Sequence, residues 1–160
     1  MMEPHHEKLS GSVEYEAALD RLLARPQRRL CLFDRQLGKG FNSAARYDLL
    51  RGFLLRDRAN RIQVVLHDVS GMARDCPRMM GLLRRFPHAL AIHETQPHAK
   101  AVYDPFALAD ERDHLHRFHY DDARALLVLD DPQATLVFVE RFAELWAASE
   151  PAVFATTLGL

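Results

Sequence analysis

Apolar positions along the chain follow first a helical and then a strand-like period. Val13, Ala17, Leu19, Leu22 and Leu23 roughly keep helical spacing and Pro26 ends the run, which predicts a helix over 13–24 against a sheet edge. Residues 29–34 hold Leu-Cys-Leu-Phe, a short continuous apolar run suited to a strand buried on both faces. A helix over 44–56 follows, capped by Asn42 or Ser43, with Tyr47, Leu50 and Leu54 inward and Arg46, Arg51 and Asp57 in solvent. Residues 62–66 read as the next buried strand. Met79, Leu82, Leu83 and Phe86 mark one buried helix face, and 89–93 a third strand. Strand, helix, strand, helix, strand at this spacing predicts right-handed parallel crossovers.

From Phe106 the pattern changes to short strands without crossover helices: 106–109, 115–118 and 125–129, read as antiparallel additions. Asp130-Asp131-Pro132 is a helix-start signal, and Phe138, Val139, Phe142, Leu145 and Trp146 form the buried stripe of the helix that follows. Residues 150–160 turn apolar again and are expected to dock on the body or on a partner chain. Residues 1–12 are polar, mixed in charge and expected to be disordered or extended, with His5 and His6 solvated.

The chain has 160 residues, about half of them apolar, and fits a single domain, 1–160, with a real core. A net charge of -1 gives no overall field toward nucleic acid or an anionic membrane, yet eighteen of the twenty-one basic residues are Arg, the side chain that grips phosphate and carboxylate bidentately. Local anion binding is therefore the charge-based expectation. Cys31 and Cys76 read as small buried thiols and not as a disulfide framework, which suits a reducing cytoplasm. No run is long enough for a signal sequence or a membrane span.

Several clusters carry possible chemistry. Gly38-Lys39-Gly40 before a helix invites a phosphate-loop reading, but the Gly-x4-Gly-Lys-Ser/Thr spacing is absent and a turn is the better reading. The carboxyl ends of the three parallel strands carry Asp34 and Arg35, His67 and Asp68, and His93 and Glu94, where ligands collect on such sheets. Charged residues also end most strands simply because the chain leaves the core there. His114 and His116 share a strand face and could join Asp121 or Asp122 around a metal; without a further ligand motif, a solvated or hydrogen-bonded pair is favoured and no metal is assigned.

The order of elements, the Pro97-His-Ala-Lys stretch, the Ala-Leu-Leu-Val-Leu-Asp-Asp-Pro strand and the Phe-Ala-Glu-Leu-Trp helix resemble one half of the phospholipase D superfamily over residues 30–149. In particular it looks like the small bacterial phospholipase D-like domains that occur alone or appended to acetyltransferases. The resemblance implies an α/β fold: a mixed, mostly parallel sheet flanked by helices on both faces, with a C-terminal strand hairpin and helix. Active members carry His-x-Lys-x4-Asp followed by a Gly-Ser-x-Asn type segment and pair two halves, so a homodimer is implied. One His attacks phosphorus, the other protonates the leaving group, and the lysines hold phosphoryl oxygens. Residues two apart on a strand share a face, so such a His and Lys reach one phosphate together.

Two registers place that motif here. His98 and Lys100 supply the His and Lys, but then Asp104 falls one residue early. Alternatively Asp110 takes the Asp place, which puts Tyr103 at the His position and Pro105 at the Lys position. Tyrosine is a poor phosphoryl nucleophile without an activating base, and proline offers neither charge nor a backbone donor. The second register suits the strands better, since Pro belongs at a strand's start. No Gly lies between Gly81 and Gly159, so the Gly-Ser-x-Asn segment is absent in either register.

The expectation is a non-catalytic module that binds a small anionic or phosphate-containing ligand or a partner. Its candidate residues are Asp34, Arg35, His67, Asp68, His93 and Asp110, with no cofactor. The alternative is a homodimeric phosphodiesterase or nuclease using His98, Lys100 and Asp104.

Overall fold

A computed structural model of the chain describes residues 3–155. Eight strands form one open mixed sheet in the order β1-β7-β6-β5-β2-β3-β4-β8. Its centre is β2 (Arg29–Asp34), β3 (Arg61–Leu66) and β4 (Leu90–Thr95), paired in parallel; every other pair is antiparallel. β5 (Phe106–Ala109), β6 (Asp113–His119) and β7 (Asp122–Leu129) extend it on the β2 side.

Alternation along the central strands divides the core in two. Leu30, Leu32, Ile62, Val64 and Leu66 face a layer made by α1 (Ser12–Leu23), α2 (Ala44–Arg56), α3 (Met72–Asp75) and α4 (Pro77–Arg85). Cys31, Phe33, Val65, Phe106 and Leu108 face α5 (Pro132–Ala147), which meets them with Phe138, Phe142 and Leu145. The Ser43 side chain caps α2 by accepting from the Arg46 amide at 3.1 Å, and Asp131 caps α5 through the Ala134 amide at 3.0 Å. Pro77 separates α3 from α4, because a residue before proline avoids helical backbone. Cys31 and Cys76 are both buried and unpaired.

Two expectations are corrected, and the two ends of the chain gain detail. The buried stripe of α1 is Tyr15, Ala18, Leu19, Leu22 and Leu23, an unbroken i, i+3, i+4, i+7, i+8 series; Val13 is exposed, and the helix lies across the face of β5, β6 and β7 instead of at an edge. Arg46 is buried, not solvated, because Glu16 and Asp20 on α1 neutralise it at 2.9 and 2.7 Å. The N-terminal stretch, expected to be disordered or extended, is extended as the strand β1 (His5–Leu9), which pairs antiparallel with β7; His5 and His6 stay exposed, and His6 reaches Asp131 at 2.8 Å. The tail, expected to dock on the body or on a partner chain, begins with β8 (Ser149–Val153), which lies on the body by pairing with β4; residues 156–160 lie outside the described part.

Candidate functional site

The carboxyl ends of β2 and β3 lie side by side, tied by the His67 amide on the Asp34 carbonyl and the Asp68 amide on the Arg35 carbonyl at 3.2 and 2.8 Å. Their side chains nonetheless diverge, since neighbouring strand residues point to opposite faces. Asp34 faces the α1 layer. His67 faces the α5 layer, where Phe33 meets its ring edge-on at 5.2 Å.

On the α1 side, a cavity of about 270 Å³ opens between α1, the loop after β2 and the β6–β7 hairpin. Its charged lining residues are Glu16, Asp34, Arg35, Arg46, Arg117 and Asp121, with Tyr15, Phe41, Tyr120 and the backbone of Gly38 and Gly40 between them. Three arginine–aromatic pairs frame it: Arg35 over Tyr120, Arg46 over Phe41 and Arg117 over Tyr15, each 5.1 Å from guanidinium carbon to ring centre. Burial pushes the Asp34 carboxyl up to about 6, against the Arg35 amide and the Arg117 charge that favour its ionised form. Burial and the nearby Asp34 likewise push the Tyr15 hydroxyl up.

Of the six residues expected to bind ligand, Asp34 and Arg35 line this cavity. His67 is occupied elsewhere: its Nε2 donates to the Val102 carbonyl at 2.7 Å, so Nδ1 accepts from the Thr95 hydroxyl at 2.7 Å. Burial lowers its pKa, which suits a neutral ring. Asp68 turns back to the Ser70 amide at 2.9 Å. β4 runs on to Thr95, so His93 sits inside the strand, stacked on Trp146 at 3.6 Å with Nδ1 on Ser149 Oγ at 2.9 Å. Asp110 lies at the opposite end of the sheet, where β5 ends beside the start of β2. Its carboxylate accepts the amides of Gln27, Arg28 and Arg29 at 2.8, 2.8 and 3.0 Å. That is a turn-fixing role, at a residue with φ of 57°.

His98 lies in a short 3-10 turn, Pro97–Ala99, and is exposed; Lys100 follows it and gives its ammonium to the His67 carbonyl at 2.6 Å. Neither is on a strand, so the shared-face geometry expected of a His-x-Lys pair is not present. Asp104 accepts from Arg141 at 2.7 Å and bonds His116 at 2.9 Å; although burial opposes it, these two partners hold its pKa below the ordinary carboxylate range. His114 bonds Thr135 at 2.9 Å, so the hairpin histidines are engaged separately. Among the described residues no three His, Cys, Asp or Glu side chains are arranged to hold a metal ion, and no helix is long and apolar enough to cross a membrane.

Sequence reasoning missed Tyr15, Arg117 and Tyr120. Tyr15 falls on the buried face of α1, and no local signal pairs it with a residue a hundred positions away. The alternation Asp113, Leu115, Arg117 along β6 could have placed Arg117 on the α1 face once the Leu115 side was known.

The fold is that of solved phospholipase D-like proteins. The chain superposes over 94% of its length on 99% of Nuc from Salmonella typhimurium, a phospholipase D family member, with a TM-score of 0.69 at 9% identity. For NucT from Helicobacter pylori the TM-score is 0.63 at 11% identity, covering 94% of this chain and 100% of that one. TrmBL2, an archaeal chromatin protein whose structure shows a novel mode of DNA binding, gives 0.67 at 14% identity, with 92% of this chain on 54% of that one. At these identities the likenesses show a shared fold. The chain belongs to the family described as Domain of unknown function (DUF7931), whose model matches residues 11–155. No curated protein matches the sequence.

Proposed function

We propose that the chain is a non-catalytic phospholipase D-like module that acts by binding a ligand or partner at the carboxyl end of its parallel strands. The start of β5 carries this reading. Counted back from Asp110, the two places that would hold the motif's His and Lys are Tyr103 and Pro105, and the Pro105 carbonyl is used by the Arg117 amide at 2.9 Å. A segment entering β5 in this way offers only a poor phosphoryl nucleophile and no phosphate-holding charge. The motif is thus read as degenerate.

The alternative, a phosphodiesterase or nuclease built on His98 and Lys100, is disfavoured by their place in an exposed turn and by the commitment of Asp104 to Arg141 and His116. DNA binding of the kind named for TrmBL2 gains no support from a net charge of -1. Pairing of two copies, implied by the superfamily, belongs to this reading; Tyr103 and Phe118, 47% and 49% exposed, are side chains that such a partner would cover.

The test is incubation with single-stranded DNA. The expected result is intact DNA at every protein concentration. Degradation that disappears in His98→Ala would overturn the proposal in favour of the enzyme.

A further inference from the structure

We propose that the cavity between α1, the loop after β2 and the β6–β7 hairpin binds a small hydroxylated oxyanion. Arg35 and Arg117 would take the oxyanion, and Asp34 with Tyr15 an adjacent hydroxyl. The inference rests on the ligand-binding reading above and gives it a site and a ligand chemistry. Positions 103 and 105 do not line this cavity, so it is not the place where the superfamily motif would act.

Four observations converge. First, Arg35 and Arg117 carry no ion pair among the described residues, whereas Arg46, on the same lining, is paired with Glu16 and Asp20, so that Glu16 is already neutralised and only Asp34 and Asp121 stand against the two free guanidinium groups. Arg117 spends only Nε, on the Asp122 carbonyl at 2.6 Å, so its two terminal nitrogens are open for a bidentate contact. Second, the guanidinium groups of Arg35 and Arg117 lie over the rings of Tyr120 and Tyr15, cation–π contacts that favour these positions before any ligand arrives and so lower the ordering cost of binding.

Third, Tyr15 is only 8% exposed, yet its hydroxyl has no hydrogen-bond partner among the described residues. The one sealed and unpartnered side-chain polar atom among the described residues is Arg112 Nε, so the Tyr15 hydroxyl is not sealed, and Tyr15 lines this cavity. Fourth, Asp34 uses one oxygen on the Arg35 amide at 2.7 Å and leaves the other free. A carboxyl and a phenol side by side can accept from and donate to an alcohol, a capacity that a bare anion would leave unused. The volume falls just short of the roughly 300–1,000 Å³ typical of pockets for drug-sized ligands, which sets the size at that of a sugar phosphate or a sugar acid.

The experiment is titration calorimetry of the full chain with ribose 5-phosphate and with gluconate, with inorganic phosphate and ribose as the single-feature probes. Saturable binding of at least one hydroxylated oxyanion, tenfold or more tighter than either single-feature probe, is expected; the two arms separate a phosphate from a carboxylate source. Arg35→Gln, an exposed side chain whose loss leaves the core intact, should weaken that binding at least tenfold, and Tyr15→Phe severalfold, with circular dichroism confirming the fold. No saturable heat with either compound, equal affinity for inorganic phosphate, or affinity unchanged in Arg35→Gln would overturn the assignment. None of these outcomes touches the non-catalytic reading, which fails on phosphodiester hydrolysis that depends on His98.

Discussion

The guanidinium of Arg117 on β6 lies 5.1 Å above the ring of Tyr15 on α1, and its Nε is anchored on the Asp122 carbonyl across the hairpin. This contact joins the hairpin to the first helix beside the cavity. A partly desolvated cation–π pair contributes about 1–2 kcal/mol, and a chain of this size loses about 2–4 °C in Tm per kcal/mol. Arg117→Ala should therefore lower Tm by roughly 2–8 °C in a thermal melt, with Arg117→Lys in between, because lysine keeps the charge but not the flat stacking surface. An unchanged Tm in the alanine variant would show that the pair holds nothing together.

Asp34 should make the native state less stable as pH rises. Its folded pKa of about 6 lies above the ordinary 3.8, so the native state holds the proton more tightly than the unfolded chain. Stability is then lost between about pH 4 and pH 6 and stays lower above. The shift corresponds to at most about 3 kcal/mol. Asp34→Asn should be more stable than wild type by up to that amount above about pH 7 in urea unfolding and nearly equal to it near pH 4. A variant less stable at neutral pH would show that the Asp34 charge is compensated. Such a gain on removing a charge is the mark of a residue kept for binding at a cost in stability.

His114 works in the opposite direction. Burial drops its pKa to about 4, with the ring packed 4.4 Å from Phe138 and Nδ1 held by Thr135. A depressed histidine stabilises fully above its unfolded value of 6.5 and loses that contribution as pH falls toward 4. The stability difference between wild type and His114→Gln should shrink by about 3 kcal/mol over that interval. Parallel pH curves for the two proteins would contradict this.

Asp110 should prove structural. Its carboxylate closes three backbone amides of the segment entering β2, each charge-assisted bond contributing about 1.5–3 kcal/mol. Asp110→Ala should cost at least about 3 kcal/mol in denaturant unfolding, helped by the strain of a left-handed φ, while Asp110→Asn, which tolerates that backbone, should cost less. Ligand affinity in folded Asp110→Asn should match wild type, because the cavity lies at the other end of β2.

The fold was largely legible because its centre is dense in local signal. The continuous apolar runs of β2 and β3 and the capped, proline-terminated helices specify their own limits. The edge strands β1 and β8 were not, since His5–Leu9 buries only Leu9 and Ser149–Val153 none of its side chains completely, leaving no apolar alternation to read. For the site, strand ends located the right region of the sheet, but only Asp34 and Arg35 of the six candidates line the cavity. Strand alternation sends His67 to the other face, and two further residues of β4 draw His93 into the strand. Tyr15 and Arg117 meet only through tertiary packing, which no spacing along the chain encodes.

The central claim, that Tyr103 and Pro105 occupy the motif positions and leave the module without phosphodiester chemistry, is tested most directly by the turnover of bis-(p-nitrophenyl) phosphate. Wild type and His98→Ala are expected to release p-nitrophenol at the same rate as buffer alone. Release by wild type above that background, abolished in His98→Ala, would contradict the account.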